Sequence, residues 1–168
     1  MPKHHFVKLE SPFKSPIKLF FSITLPFFVQ AVGSFVTNPS LPGWYESLNK
    51  PELNPPNWLF APVWTTLYFL MGISLYLVWS SDSKSKIKRP AILLFFVHLA
   101  LNSLWSFVFF DWLDISLALL VIITIWLLIV LLMILFSRIN KLASYLLIPY
   151  LVWVSFATYV NFEFWRLN

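Results

Sequence analysis

The chain has 168 residues, of which 59% are hydrophobic, 20% aromatic and only 11% charged. A soluble domain carries about 25% charged residues, so this composition excludes a water-soluble globule and favours a protein of the lipid bilayer. The absence of cysteine excludes disulfides and thiolate metal sites, and the three glycines leave no glycine-rich phosphate loop.

Five apolar stretches are long enough to cross about 30 Å of hydrocarbon as α-helices. None of them alternates strictly, which excludes transmembrane strands. The predicted fold is therefore an all-α membrane protein, a bundle of five transmembrane helices. The predicted organisation is a tail over 1–18, one domain over 19–168, and spans over 19–37, 58–79, 91–110, 115–136 and 142–164.

Two prolines lie inside predicted spans, Pro26 in the first and Pro149 in the fifth. Each removes one backbone hydrogen bond, so each is expected to kink its helix.

Basic residues are distributed unevenly between the two sides of the predicted bundle. Ten of the twelve Lys and Arg residues fall in the tail, the second loop or the fourth loop, and only Lys50 and Arg166 fall on the other side. The positive-inside rule then predicts a cytoplasmic N-terminus and an external C-terminus, in a bacterial-type inner membrane. Because this bias accounts for the net charge of +5, no nucleic-acid partner is expected.

The first loop, residues 38–57, combines five prolines with bulky apolar residues. The prolines forbid a continuous helix, and a flexible linker would not carry Trp44 and Tyr45. We therefore expect a folded cap over the external end of the bundle. The alternative is that both aromatic side chains simply rest at the level of the lipid headgroups.

Aromatic and polar residues recur at helical spacing in the external halves of three spans. They are Trp64, Tyr68 and Met71 in the second span, His98, Asn102 and Trp105 in the third, and Trp153 and Ala157 in the fifth. Polar groups at membrane depth face the bundle interior, and a buried indole N–H needs a partner. The pattern predicts a pocket for a large, flat, mostly apolar ligand. Asn102 could equally serve only to hold a neighbouring helix, and Trp126 is expected to pack or to face lipid.

No catalytic or metal site is predicted, no cofactor is required, and an enzyme is not expected. His98 has no second ligand at metal spacing, and nothing else in the sequence supports its ligation of a haem iron. The acids Asp111, Asp114 and Glu163 stand at span ends, which argues against a proton relay.

Several motifs in these segments form a pattern known from one family. The motifs are Trp44-Tyr45-x-x-Leu48-x-Lys50-Pro51, Pro55-Pro56, Phe60-x-Pro62-Val63-Trp64-x-x-Leu67-Tyr68-x-x-Met71-Gly72, Leu101-Asn102-x-x-Trp105-Ser106 and Pro149-Tyr150-Leu151-x-Trp153-Val154-x-Phe156-Ala157-Thr158. Spread over roughly residues 41–168, this pattern resembles the tryptophan-rich sensory protein family, which includes the mitochondrial translocator proteins.

The resemblance implies a five-helix bundle, commonly a homodimer, that binds tetrapyrroles such as protoporphyrin IX and haem, and also sterols or other lipids. It implies a membrane receptor or carrier in tetrapyrrole transport or stress sensing. The alternatives are light-dependent porphyrin breakdown and a regulatory subunit without a ligand. The residues that would line or close the pocket are Trp44, Tyr45, Pro55, Phe60, Trp64, Asn102, Trp105, Trp153 and Ala157. Helical spacing and depth add Tyr68 and His98.

This chain departs from the family pattern at three places. Leu53 stands where the loop often has Trp, and His98 stands where the third span often has Gln. Six residues separate Tyr159 from Arg166, whereas the sterol motif allows at most five. Porphyrin rather than sterol is therefore the expected ligand.

Overall fold

Helices make up most of the described chain. The computed structural model describes residues 15–168, so residues 1–14 of the predicted tail lie outside the described residues. The helices are α1 (Pro16–Ser40), α2 (Asn57–Trp79), α3 (Lys88–Phe110), α4 (Ile115–Ser137), α5 (Lys141–Tyr145) and α6 (Ile148–Leu167). Residues 15–168 contain no strand.

Five spans of the described chain are long and apolar enough to cross a membrane, which confirms the predicted fold class. They run over Pro16–Tyr45, Asn57–Trp79, Lys88–Phe110, Ile115–Ser137 and Lys141–Leu167. The first begins before the predicted residue 19. It does so because Ser15 Oγ accepts a hydrogen bond from the Lys18 backbone N–H at 3.4 Å and Pro16 fits the first helical position.

The two prolines inside the predicted spans have different effects. α1 continues through Pro26, whereas the fifth span is divided into α5 and α6 just before Pro149. Proline has no N–H to bond to the preceding turn, so Pro149 fits the first turn of α6. Ser74 Oγ of α2 donates a hydrogen bond to the Ala143 carbonyl oxygen of α5 at 2.6 Å. This bond satisfies a buried carbonyl group that water does not reach.

The helices are arranged as a closed ring. α1 packs between α2 and α3, α3 packs on α4, and α4 packs on α5 and α6. The ring is closed because α5 and α6 also contact α2. α1 and α2 approach most tightly at Gly72, where an added Cβ would lie 2.9 Å from the Ser22 carbonyl oxygen and from Ile23 Cα. The centre of the ring is left for side chains from all five spans.

The two halves of this ring are filled differently. In the half that contains α5, large apolar side chains close the centre, namely Met71, Leu75, Val78, Phe95, Ile129, Leu132 and Phe136. Phe95 and Phe136 stack there with their ring centroids 6.2 Å apart. In the other half, beneath the first loop, the side chains surround open space.

Candidate ligand-binding site

A cavity of about 250 Å³ lies among all five spans, in the half of the bundle next to the first loop. Eight of the eleven residues predicted for the site line this cavity: Tyr45, Phe60, Trp64, Tyr68, Asn102, Trp105, Trp153 and Ala157. A second cavity of about 60 Å³ adjoins it and shares the side chains of Phe60, Trp105 and Trp153. The predicted residues of α2, α3 and α6 therefore meet around one space.

Seven of the residues that line the cavity are aromatic. Trp64 stacks on Tyr68 with centroids 5.3 Å apart and planes 27° apart. Phe60 meets Trp153 edge to face at 6.1 Å, and Trp105 stacks on Phe109 at 5.2 Å. Such rings present flat apolar faces, which suit a flat apolar guest.

The indole N–H groups differ in whether they have partners. Trp105 Nε1 donates to Asn161 Oδ1 at 3.0 Å, and Trp126 Nε1 donates to Ser155 Oγ at 2.8 Å, which fits the packing role expected for Trp126. Trp153 Nε1 is buried and has no hydrogen-bond partner. A buried donor without a partner is costly, and because Trp153 Nε1 is enclosed, it can meet a ligand oxygen only when the indole ring turns.

A buried hydrogen-bonded network forms the floor of the cavity and joins α2, α3 and α6. Tyr68 Oη donates to Asn102 Oδ1 at 2.5 Å, and Asn102 Nδ2 donates to Tyr150 Oη at 2.9 Å. Tyr150 Oη also lies 2.9 Å from His98 Nε2. Asn102 therefore does both things the sequence left open, because it ties neighbouring helices together and faces the cavity.

Three predicted residues do not line the main cavity. His98 is 1% exposed and its Nε2 atom is hydrogen-bonded with Tyr150 Oη, so this nitrogen is not presented to a haem iron. Trp44 packs against Phe109 and Phe110 with ring centroids 5.3 and 6.3 Å away. Pro55 is buried and lines only the smaller adjoining cavity.

The sequence reasoning missed the contribution of α1. This helix brings Gln30, Gly33, Ser34, Thr37 and Asn38 to the cavity. The signal was present, because the polar residues among them recur at helical spacing within an apolar span, and polar groups at membrane depth mark functional surfaces. Tyr150, which anchors the floor network, was also overlooked as a site residue although it lies in the family motif.

The first loop is folded over the end of the bundle, and we call residues 41–56 the lid. Tyr45 is 4% exposed and packs between Phe110 and Phe164 with ring centroids 5.9 and 5.6 Å away. Its Oη donates to Asn54 Oδ1 at 3.0 Å. Tyr45 thus lies inside the bundle and does not rest at the headgroup level.

The middle of the lid is attached to the end of α6. The Asn49 backbone N–H donates to Asn168 Oδ1 at 2.9 Å, and Asn168 Nδ2 donates back to the Asn49 carbonyl oxygen at 3.2 Å. The turn that begins the lid depends on Gly43, whose φ of +100° is one that L-residues rarely adopt.

These features define a class of protein: an integral membrane protein whose five spans surround an aromatic cavity beneath a folded loop. Residues 22–166 match the family model described as the TspO/MBR family. The chain belongs to the TspO/MBR family, which confirms the resemblance inferred from its motifs.

Curated relatives match over most of their length. The Tryptophan-rich protein TspO of Chlorobaculum tepidum is 41% identical over 155 residues, which are 92% of this chain and 98% of that protein. The Tryptophan-rich sensory protein of Cereibacter sphaeroides is 38% identical over 144 residues (84% and 89%). The human Translocator protein is 35% identical over 143 residues (82% and 85%). Membership in this family supports a sensory or transport role in a membrane.

Proposed function

We propose that the protein binds a tetrapyrrole, such as protoporphyrin IX or haem, in this cavity and acts as a membrane receptor or carrier in tetrapyrrole transport or stress sensing. The observation that carries the proposal is one cavity that all five spans share and whose wall contains three indole and two phenol rings. A flat conjugated ring system gains contact area and stacking from such a wall.

The polar groups of the cavity suit the periphery of such a ligand. Trp153 Nε1 is an enclosed donor without a partner, on a ring that lines the cavity, and rotation of this ring would let it donate to a carboxylate oxygen on the edge of a tetrapyrrole. Since His98 Nε2 is engaged by Tyr150, the proposal involves no bond from His98 to iron. Binding is through ring faces and edge oxygens.

The size of the cavity adds a requirement. Its volume of about 250 Å³ is below the roughly 300–1,000 Å³ usual for pockets that hold small molecules. The adjoining cavity of about 60 Å³ shares six lining residues with it, among them Phe60, Trp105 and Trp153. Rotation of these rings would merge the two spaces, so binding is expected to be accompanied by movement of the wall.

The proposal is tested by titrating the purified protein with protoporphyrin IX and following tryptophan fluorescence quenching. Trp64→Phe and Trp153→Phe should each weaken binding, by less than the roughly 1–3 kcal/mol that loss of a whole stacking ring costs in nucleic-acid binding, since Phe keeps a smaller ring. Trp112→Phe is the matched control, since Trp112 is 57% exposed in the turn between α3 and α4.

Three outcomes would contradict the proposal. Unchanged affinity in both cavity variants would contradict the assignment of the site. Absence of any binding would favour a regulatory subunit without a ligand. Loss of the porphyrin absorbance bands under illumination, dependent on Trp64 and Trp153, would instead indicate light-dependent breakdown. Sterol binding and the homodimer stay predictions.

A further inference from the structure

The cavity has an opening on the side of the bundle. Of the described residues that line the cavity, four are also exposed: Ser34 and Asn38 in α1, and Asn57 and Ala61 in α2. In each helix the two residues are one turn apart, so they form facing stripes. The cavity is therefore open between the first-loop halves of α1 and α2.

A hydrogen bond marks the inner limit of this opening. Gln30 Nε2 of α1 donates to Thr65 Oγ1 of α2 at 3.3 Å. At 1.5 Å per residue, this bond lies about 12–15 Å below the helix ends, near the middle of a hydrocarbon core about 30 Å thick. Deeper in the membrane, α1 is in backbone contact with Gly72 of α2. The opening thus extends through one leaflet and no further.

The end of the bundle, by contrast, is covered. Tyr45 of the lid is buried among ring side chains, and Asn49 and Asn168 hold the lid to α6 by reciprocal hydrogen bonds. A ligand that came from the aqueous side would have to displace these contacts. A ligand already dissolved in the adjoining leaflet faces only the gap between α1 and α2.

The chemistry of the gap indicates what passes through it. Three of its four exposed residues, Ser34, Asn38 and Asn57, are polar, although they border hydrocarbon or headgroups. Directly behind them the wall is aromatic, with Phe60 and Trp64. Such a border suits a molecule with polar groups at its edge and an apolar face.

We propose that the gap between α1 and α2 is a lateral entrance through which an amphipathic, planar ligand moves between the adjoining leaflet and the cavity. The identity of the ligand rests on the proposed function, but the entrance concerns the route and not the affinity. Widening the entrance enough to pass a planar ring requires α1 to move away from α2 at its first-loop end, while the contact at Gly72 holds the other end.

A reversible bridge across the gap tests this route. The chain has no cysteine, so the double variant Ser34→Cys/Ala61→Cys can be bridged specifically with a bifunctional methanethiosulfonate reagent in phosphatidylcholine vesicles. Donor vesicles that contain protoporphyrin IX are then added, and the rate of tryptophan quenching is measured. The bridge should slow loading at least about tenfold because it prevents the gating motion, and reduction should restore the rate in the same sample.

The matched control bridges the lid. In Asn49→Cys/Asn168→Cys the same reagent fixes the lid to α6, and loading from the bilayer should continue at close to the unbridged rate. The entrance would be contradicted if the lid bridge slowed loading and the α1–α2 bridge did not, if both slowed it equally, or if neither did.

A second comparison needs no cross-link. Thr65→Val removes the hydrogen bond to Gln30 with little change in shape, and Thr66→Val is the control, since Thr66 bonds only to the Pro62 carbonyl of its own helix. Loading should be about fivefold faster in Thr65→Val, the factor that one hydrogen bond represents. No change in Thr65→Val, or an equal change in Thr66→Val, would contradict the entrance.

Equilibrium titration in detergent separates the two proposals. If the protein binds at equilibrium but its loading rate is the same in all these variants, the entrance alone is contradicted. Absence of binding would contradict the proposed function and the entrance with it.

Discussion

Tyr150 is the residue on which the cavity floor depends. Its oxygen accepts the Asn102 Nδ2 hydrogen bond at 2.9 Å and lies 2.9 Å from His98 Nε2. Tyr150 Oη and His98 Nε2 share one hydrogen bond in either imidazole tautomer, and the other ring nitrogen, Nδ1, is buried without a partner. Tyr150 therefore satisfies two buried atoms, Asn102 Nδ2 and His98 Nε2, at a depth where water cannot.

We predict that Tyr150→Phe destabilises the protein. The substitution keeps the ring but leaves Asn102 Nδ2 and His98 Nε2 buried without their partner, which costs about 1–3 kcal/mol for such a group. Thermal unfolding of the purified protein in detergent measures the loss.

Tyr145→Phe is the matched control for this prediction, because Tyr145 is 61% exposed at the end of α5 and its hydroxyl leaves no buried group unpaired. An equal loss of stability in both variants would contradict the role assigned to the floor network.

At the scale of the elements, the packing of α1 on α2 depends on a missing side chain. An alanine Cβ at position 72 would lie 2.9 Å from α1 backbone atoms, Ser22 O and Ile23 Cα. Backbone cannot move aside as a flexible side chain can, so the two helices would have to separate.

Gly72→Ala is therefore expected to lower the free energy of unfolding. Overpacking of this kind costs about 1–3 kcal/mol, which outweighs the gain of about 1 kcal/mol in helix propensity. Thermal unfolding in detergent measures the change.

Gly33→Ala provides the comparison, since the nearest atom to its added Cβ is the Ser106 side-chain Oγ at 3.1 Å. Ser106 can rotate, so this variant should be close to neutral. A neutral Gly72→Ala would show that the helices accommodate the methyl group without separating.

The sequence could predict the elements because their determinants are local. Apolar length locates all five spans, and Ser15 and Pro16 account for the start of α1. The division of the fifth span was not recoverable from hydropathy, because Leu146 and Leu147 are as apolar as a continuous helix requires. Only the proline pointed to it, and a proline does not fix where the preceding helix ends.

The site was predictable only in part, for a related physical reason. Helical spacing identified the faces of α2, α3 and α6 that meet around the cavity, because a face is a local property. It could not show that His98 Nε2 is engaged by Tyr150, since that contact joins residues 52 positions apart. The exposure of Ser34 and Asn38 depends on the distance between α1 and α2. No local sequence pattern encodes that distance.

At the scale of the whole molecule, the basic residues predict its orientation. Ser116 and Ser137 are both exposed and lie at opposite ends of α4. In a bacterial host, a membrane-impermeant maleimide should label Ser116→Cys in intact cells and Ser137→Cys only after permeabilisation, because the end of the bundle near Ser137 carries most of the positive charge.

The chain has no other cysteine, so the unsubstituted protein is the blank for this experiment. Labelling of Ser137→Cys in intact cells, with Ser116→Cys protected, would reverse the predicted orientation.

The hollow first-loop half and the solid half around Phe95 and Phe136 give the molecule uneven compressibility. Poorly filled space among packed side chains is volume that hydrostatic pressure acts to eliminate, and about 250 Å³ of such space, reached through the gap between α1 and α2, lies within one leaflet. A guest that fills this space removes volume from the system without unfolding the chain. Pressure therefore favours the ligand-bound protein over the empty protein. In the empty protein, compression deforms mainly the half of the bundle that contains the cavity.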